Sequence, residues 1–157
     1  MRISAKADYA VRAAAELTGA TPDCPTKGDH LASAQAIPIK FLENILVDLR
    51  QAGIVQSRRG PDGGYWLAVP PGDVSVADVI RAVDGPLASV RGEKPEDLTY
   101  DGAATKLREV WVALRGSMRE VLERVTLEDL AEGNLSDDVL EHTRDPEAWQ
   151  RRRRPQP

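Results

Sequence analysis

Few side chains here could hold a metal or attack a substrate: one cysteine, Cys24, two histidines, His30 and His142, and carboxylates scattered along the chain. Cys24 and His30 lie six residues apart, a spacing open to a metal pair or a redox switch. A reactive thiol needs cationic neighbours or a helix N-terminus, yet Cys24 stands between Asp23 and Pro25 with Lys27 as its near cation. A lone thiol also excludes an intrachain disulfide and any site built from several thiolates, in keeping with a reducing, cytoplasmic setting. No nucleophile elbow, phosphate loop, dinucleotide fingerprint or metalloprotease helix occurs. The expectation is a protein without catalytic activity, metal or cofactor.

Residues able to meet a polyanion are more informative. Arg58 and Arg59 precede the turn-forming run Gly60, Pro61, Asp62, Gly63 and Gly64. Cations on a tight protruding turn can reach phosphates or enter a minor groove. The overall charge of -4 opposes such contact, but it is unevenly spread. Residues 1 to 70 carry 8 Lys/Arg against 7 Asp/Glu, a balance of +1, and residues 71 to 157 carry 13 against 18, a balance of -5. Polyanion contact is therefore expected of the first half.

The elements that would position those cations follow from periodicity. Ala7, Ala10, Val11, Ala14 and Leu17 recur at helical spacing over 4 to 17. A short second helix fits 27 to 35, with Thr26 and Asp29 at the spacing of a capping box. From Pro38, Phe41, Leu42, Ile45, Leu46 and Leu49 form one apolar stripe that Gly53 ends. Two helices joined by a tight turn and backed by a third match a helix-turn-helix, although any three-helix bundle would give a similar pattern. Strands at 54 to 57 and 65 to 69 around the glycine-rich turn make a β-hairpin, the wing. Aromatics are 4% of the chain, so the core should be aliphatic. The fold class expected is mainly α with a small β-hairpin wing.

Beyond a DNA-binding domain at 1 to 72, Ser75 and Asp78 cap a bracing helix that Gly85 and Pro86 terminate. Residues 87 to 102 show little periodicity and are expected to form a loop or a partly mobile linker, closing a second segment over 73 to 102. A long helix is expected over about 103 to 125, where Leu107, Trp111, Leu114, Met118, Val121 and Val125 step by four and three residues. That heptad spacing calls for a partner, and a second copy is the simplest one. Thr126 and Asp129 suggest a short capped helix within a unit over 103 to 135, and 136 to 157, ending in RRRRPQP, reads as a flexible tail. No apolar run is long enough for a membrane span.

Taken together, ISAKADYAVRAAAEL, FLENILVDLRQAGIVQSRRGPDGGYWLA, VADVIRAVDGP and the Trp-containing helix before TLEDLAEG resemble the Rrf2 family of bacterial regulators. The resemblance implies a homodimer whose third helices enter successive major grooves of a palindromic operator in double-stranded DNA while the wings contact flanking DNA. It places recognition on Pro38, Ile39, Lys40, Glu43 and Asn44, and wing contacts on Arg58, Arg59, Gly60, Gly63 and Gly64. Glu43 could accept a hydrogen bond from a cytosine amino group or be a solvated carboxylate. Lys6 and Arg50 are expected to add backbone contacts, and Tyr9 either does so or packs in the core.

The family's iron-sulfur sensors carry cysteines between the bracing and long helices. LASVRGEKPEDLTYDGAATKL, the matching segment here, has neither cysteine nor histidine, and one carboxylate, Asp8, cannot hold a cluster. The resemblance thus implies a cluster-free repressor controlled by a small metabolite or regulatory protein and, by analogy with cluster-lacking relatives, linked to sulfur or cysteine metabolism. The acidic balance leaves one alternative open, a winged-helix interaction module that does not bind DNA.

Overall fold

The computed structural model describes residues 2–150. Among the described residues are seven α-helices, α1 (Ala5–Glu16), α2 (Gly28–Ala34), α3 (Ile39–Gln51), α4 (Val76–Asp84), α5 (Leu107–Leu122), α6 (Leu127–Glu132) and α7 (Asp137–Arg144), and one antiparallel hairpin of β1 (Val55–Arg58) and β2 (Gly64–Leu67). The mainly helical class with a two-stranded wing is as expected.

Helix α1 presents Ala7, Ala10, Ala13 and Ala14 inward, all essentially buried. Side chains this small let α3 and α4 approach closely, and Leu17, Leu31, Leu42, Ile45, Leu49 and Val79 fill the space between them at 0% exposure. Ser4 caps α1 by accepting from the Ala7 N–H at 2.9 Å. The turn between α2 and α3 is made by Ala36, which adopts a left-handed φ of 50° and leaves Ile37 buried. An alanine held in that conformation is tolerated only where surrounding packing dictates it.

The cap expected at Thr26 is corrected. Lys27 precedes α2 without a side-chain cap, and Thr26 pairs with Tyr65 instead, its N–H donating to the Tyr65 carbonyl at 2.9 Å and its carbonyl accepting the Tyr65 N–H at 2.8 Å. The wing is thereby sewn to the loop before α2. Phe41 also leaves its expected place in the stripe: Leu42, Ile45, Leu46 and Leu49 are buried, while Phe41 is 54% exposed.

Two capping boxes fall where the spacing puts them. Ser75 and Asp78 exchange hydrogen bonds at the start of α4, and Thr126 and Asp129 do so at the start of α6. Partial burial raises the Asp78 pKa, but the hydrogen bonds from Ser75 and the charge of Arg81 outweigh that and hold the carboxyl below its ordinary value. Asp129 is likewise held low by the Thr126 backbone N–H and hydroxyl.

The second half departs from expectation in three ways. Helix α5 ends at Leu122, so Val125 is not on it. Val125 is 7% exposed, its carbonyl receives the Val76 N–H at 2.8 Å, and the Leu127 N–H returns to the Val74 carbonyl at 2.9 Å. Helix α6 therefore packs into the winged-helix core, with Leu127 fully buried, and residues 1 to 72 are not a closed unit. Nor is the segment 87 to 102 a loose linker. Leu87, Pro95 and Leu98 are buried, Arg115 pairs with Glu96 at 2.5 Å, and the Trp111 indole donates to the Tyr100 hydroxyl at 3.1 Å, strapping the segment to α5. Finally, the tail expected from 136 is ordered into α7 and a turn at Pro146–Trp149, with Val139 buried. RRRRPQP falls at 151 to 157, outside the described residues.

Candidate nucleic-acid interface

Helix α3 is two-faced because its apolar residues fall on one side of the wheel. With Leu42, Ile45, Leu46 and Leu49 turned inward, Lys40, Glu43, Asn44 and Val47 are turned out and exposed. Lys40, Glu43, Asn44 and Arg50 have no side-chain hydrogen bond or ion pair among the described residues, so their polar groups are free for an external partner. Ile39 is 40% exposed beside Pro38, which precedes the helix. Between α3 and β1 lies a cleft of about 450 Å³ lined by Val47, Arg50, Gln51, Gln56 and Trp66, placing Arg50 at the junction of helix and wing.

The glycines of the wing shape it. A Cβ at Gly63 would lie 2.2 Å from the Arg58 carbonyl oxygen, and one at Gly64 would lie 2.6 Å from the Thr26 carbonyl oxygen, so neither position admits a side chain without moving backbone. Gly60, at φ 107°, supplies the bend, and its carbonyl accepts the Gly63 N–H at 3.0 Å. Arg58 is drawn back onto the turn, donating to the Asp62 carbonyl at 3.2 Å. Arg59 is exposed and makes no polar contact among the described residues.

Lys6 is placed differently from expectation. Its ammonium lies 2.7 Å from the Asp48 carboxylate on α3 and donates to the Val83 carbonyl at the end of α4 at 2.9 Å. It ties three helices together, with two of its three N–H donors engaged within the fold. Tyr9 is half-buried against the core, as its packing alternative had it.

A basic wing beside a helix whose outward residues lack internal partners is the arrangement of a winged helix-turn-helix. The sequence pattern of the Rrf2 family, described as iron-dependent transcriptional regulators, matches residues 3–133. The chain belongs to the Rrf2 family. Among curated relatives of this Rrf2 chain, Rv1287 of Mycobacterium tuberculosis, named as an HTH-type transcriptional regulator, is 52% identical over 141 residues, covering 90% of this chain and 88% of that one. CymR of Bacillus subtilis is 35% identical over 131 residues, covering 83% and 90%. The solved structure of B. subtilis CymR, described as the global cysteine regulator, matches with a TM-score of 0.70 over 85% of this chain and 98% of that one. T. potens IscR matches at 0.68 over 86% and 89%, with 32% identity.

The family's iron dependence finds no matching donor set here. Among the described residues no group of three or more His, Cys, Asp or Glu side chains could hold a metal ion, and Cys24 is exposed and single. Soft thiolate ligation, which an iron-sulfur cluster requires, is not provided by these residues.

The heptad residues meet an apolar cavity. Trp111, Leu114, Met118 and Val121, with Leu122, line one wall of a space of about 1110 Å³ whose other wall includes Ile3, Ile80, Leu87 and Val90. Leu107 is half-buried one turn earlier. None of the residues of α5 is fully buried, and Val110, one turn before Leu114 at the edge of the same face, is 54% exposed.

Proposed function

We propose that this Rrf2-family regulator is a homodimeric repressor that reads a palindromic operator with α3 and grips flanking phosphates with Arg59. The observation that carries the reading is the unpartnered row Lys40, Glu43 and Asn44 beside the free Arg59. Lys40 and Asn44 supply donors for phosphates or base edges, and Glu43 supplies an acceptor that suits a cytosine amino group. The glycines of the wing hold Arg59 at the tip without contacting bases themselves.

Dimerisation is assigned to α5. A helix of 16 residues without a fully buried side chain, facing an open apolar cavity, leaves its seam short of cover within one chain. The α5 of a second copy supplies that cover and sets the separation of the two recognition helices. Control follows from the same geometry. Lys6 joins α3 to the end of α4, and α4 leads through Gly85 into the strapped segment beside α5. A metabolite or regulatory protein acting on that segment would bias the spacing of the recognition helices. Its similarity to CymR, described as a global cysteine regulator, supports a regulon in sulfur or cysteine metabolism.

The test is anaerobic purification of the full chain, iron and sulfide analysis, and a mobility-shift assay on palindromic duplexes selected from a random library. Salt-sensitive, sequence-selective binding by an iron-free dimer is expected. Stoichiometric iron and sulfide whose removal changes affinity would overturn cluster-free control. Failure to select any duplex would favour an interaction module, in line with the net charge of -4.

A further inference from the structure

The outward side of α3 carries an aromatic ring that core packing does not explain. Phe41, the chain's single phenylalanine, lies 54% exposed in the first turn of the helix, one residue beyond Lys40 and three before Asn44. Leaving such a ring in water forfeits the burial that its neighbours Leu42 and Ile45 obtain. The ring is nonetheless held in place. It meets Tyr9 of α1 edge-to-face, with centroids 6.2 Å apart and planes at 76°. Tyr9 in turn lies 4.8 Å beneath the Arg12 guanidinium. Arg12 donates to the Gln35 carbonyl in the helix-turn-helix turn at 2.7 Å and pairs with Asp8 at 3.0 Å. A stack of three side chains, anchored on α1 and on the turn that launches α3, thus presents the free part of the ring at the N-terminal end of the recognition helix.

That end is the part of a helix-turn-helix that meets base edges. The major-groove edges of the four bases offer hydrogen-bond donors and acceptors, which a phenyl ring cannot satisfy, and one apolar group, the C5-methyl of thymine. We propose that Phe41 is a specificity-determining residue that packs on a thymine methyl in each half-site. The assignment rests on the DNA-binding reading above and adds to it the base recognised. Because the ring is already ordered by Tyr9, its contact costs little side-chain entropy. Covering one methyl is worth about fourfold in affinity per half-site, and about fifteenfold over a symmetric pair.

The experiment uses the full chain and a duplex selected from a random library, with each thymine pair related by the palindrome replaced in turn by deoxyuridine. That change removes the methyl and leaves the pairing face unaltered. The parent is expected to lose about fifteenfold at one symmetric position. Phe41→Ala should bind both duplexes equally, near the weaker parent value, and Phe41→Leu should retain part of the discrimination. Circular dichroism of each variant confirms the fold, and if Phe41→Ala unfolds, the comparison of parent with Phe41→Leu decides. A parent indifferent to deoxyuridine at every position overturns the assignment, as does a variant that keeps the parent's full discrimination. Selection of no duplex at all would instead overturn the DNA-binding reading beneath it.

Discussion

Replacing Gly63 with alanine tests whether the wing tip delivers Arg59 to DNA. The added Cβ would sit 2.2 Å from the Arg58 carbonyl oxygen, 2.8 Å from the Arg59 carbonyl carbon and 2.9 Å from that of Arg58. All three are backbone atoms, so no rotamer change relieves the overlap. The turn must open by about 1 Å to restore ordinary contact distances, which sacrifices the 3.0 Å bond from the Gly63 N–H to Gly60 and loosens the Arg58–Gly64 pairing. Two hydrogen bonds at roughly 1 kcal/mol each amount to a loss of about 2 kcal/mol. For a chain of this length that lowers the Tm by about 4–8 °C and leaves the helical core intact. The effect on DNA should be larger in kind. Each phosphate contact contributes about 0.9 to the slope of log affinity against log salt, so misplacing one arginine per wing in a dimer lowers the slope by about 1.8. At about 0.15 M salt the same two contacts are worth roughly thirtyfold in affinity. Fluorescence anisotropy across a salt series on a selected duplex reads both quantities. Gly19→Ala, where an added Cβ meets nothing within 4 Å, is the control. A Gly63→Ala protein with the parent's affinity and slope would refute the claim that the wing tip touches DNA.

Arg59→Ala should lower the salt slope by about 1.8 in the dimer, and Arg58→Ala by less, because Arg58 already donates to the Asp62 carbonyl; equal slopes for the two variants would contradict that division. Glu43→Ala should change which duplexes a random library yields, so uniform weakening on all sequences would count against base reading. Leu114→Asp places an unpaired charge in the α5 seam at a cost of several kcal/mol and should sediment as a monomer; an unchanged dimer would mean that the seam serves its own chain alone. The lowered pKa of Asp78 makes its stabilising effect fully present above the ordinary carboxylate value near 4 and lost as pH falls through the lower folded value. Asp78→Asn should therefore flatten the acid limb of a Tm-against-pH profile, and an identical limb would argue against the capping box as its source.

What could be read from the sequence was what neighbours in sequence decide. Ser75 with Asp78, and Thr126 with Asp129, form their boxes because both partners lie within one turn. The Gly60–Gly64 run bends whatever surrounds it, so the hairpin was visible too. Contacts between distant segments were not. Thr26 has the spacing of a cap, but Tyr65 offers it two backbone hydrogen bonds, which outweigh one side-chain bond. Lys6 reads as a free cation until Asp48 comes beside it. Phe41 was legible in part, since it falls at the edge of the arc centred on Leu42, Ile45, Leu46 and Leu49, and a helical wheel marks it as the least enclosed of them. Helix α7 carries a weak signal because Val139 is its single buried residue.

The return of α6 into the core has a consequence for synthesis. Leu127 packs with Leu17 and Val74, and more than a hundred residues separate the end of α1 from α6. Folding must close that loop, and a chain emerging from the ribosome cannot close it until α5 has been made. A nascent chain that has exposed only α1 to α4 and the wing leaves Leu17 and Val74 without their cover. The reading head is therefore completed after the helix assigned to pairing, and a truncated chain gains little chance to occupy an operator as an unpaired half.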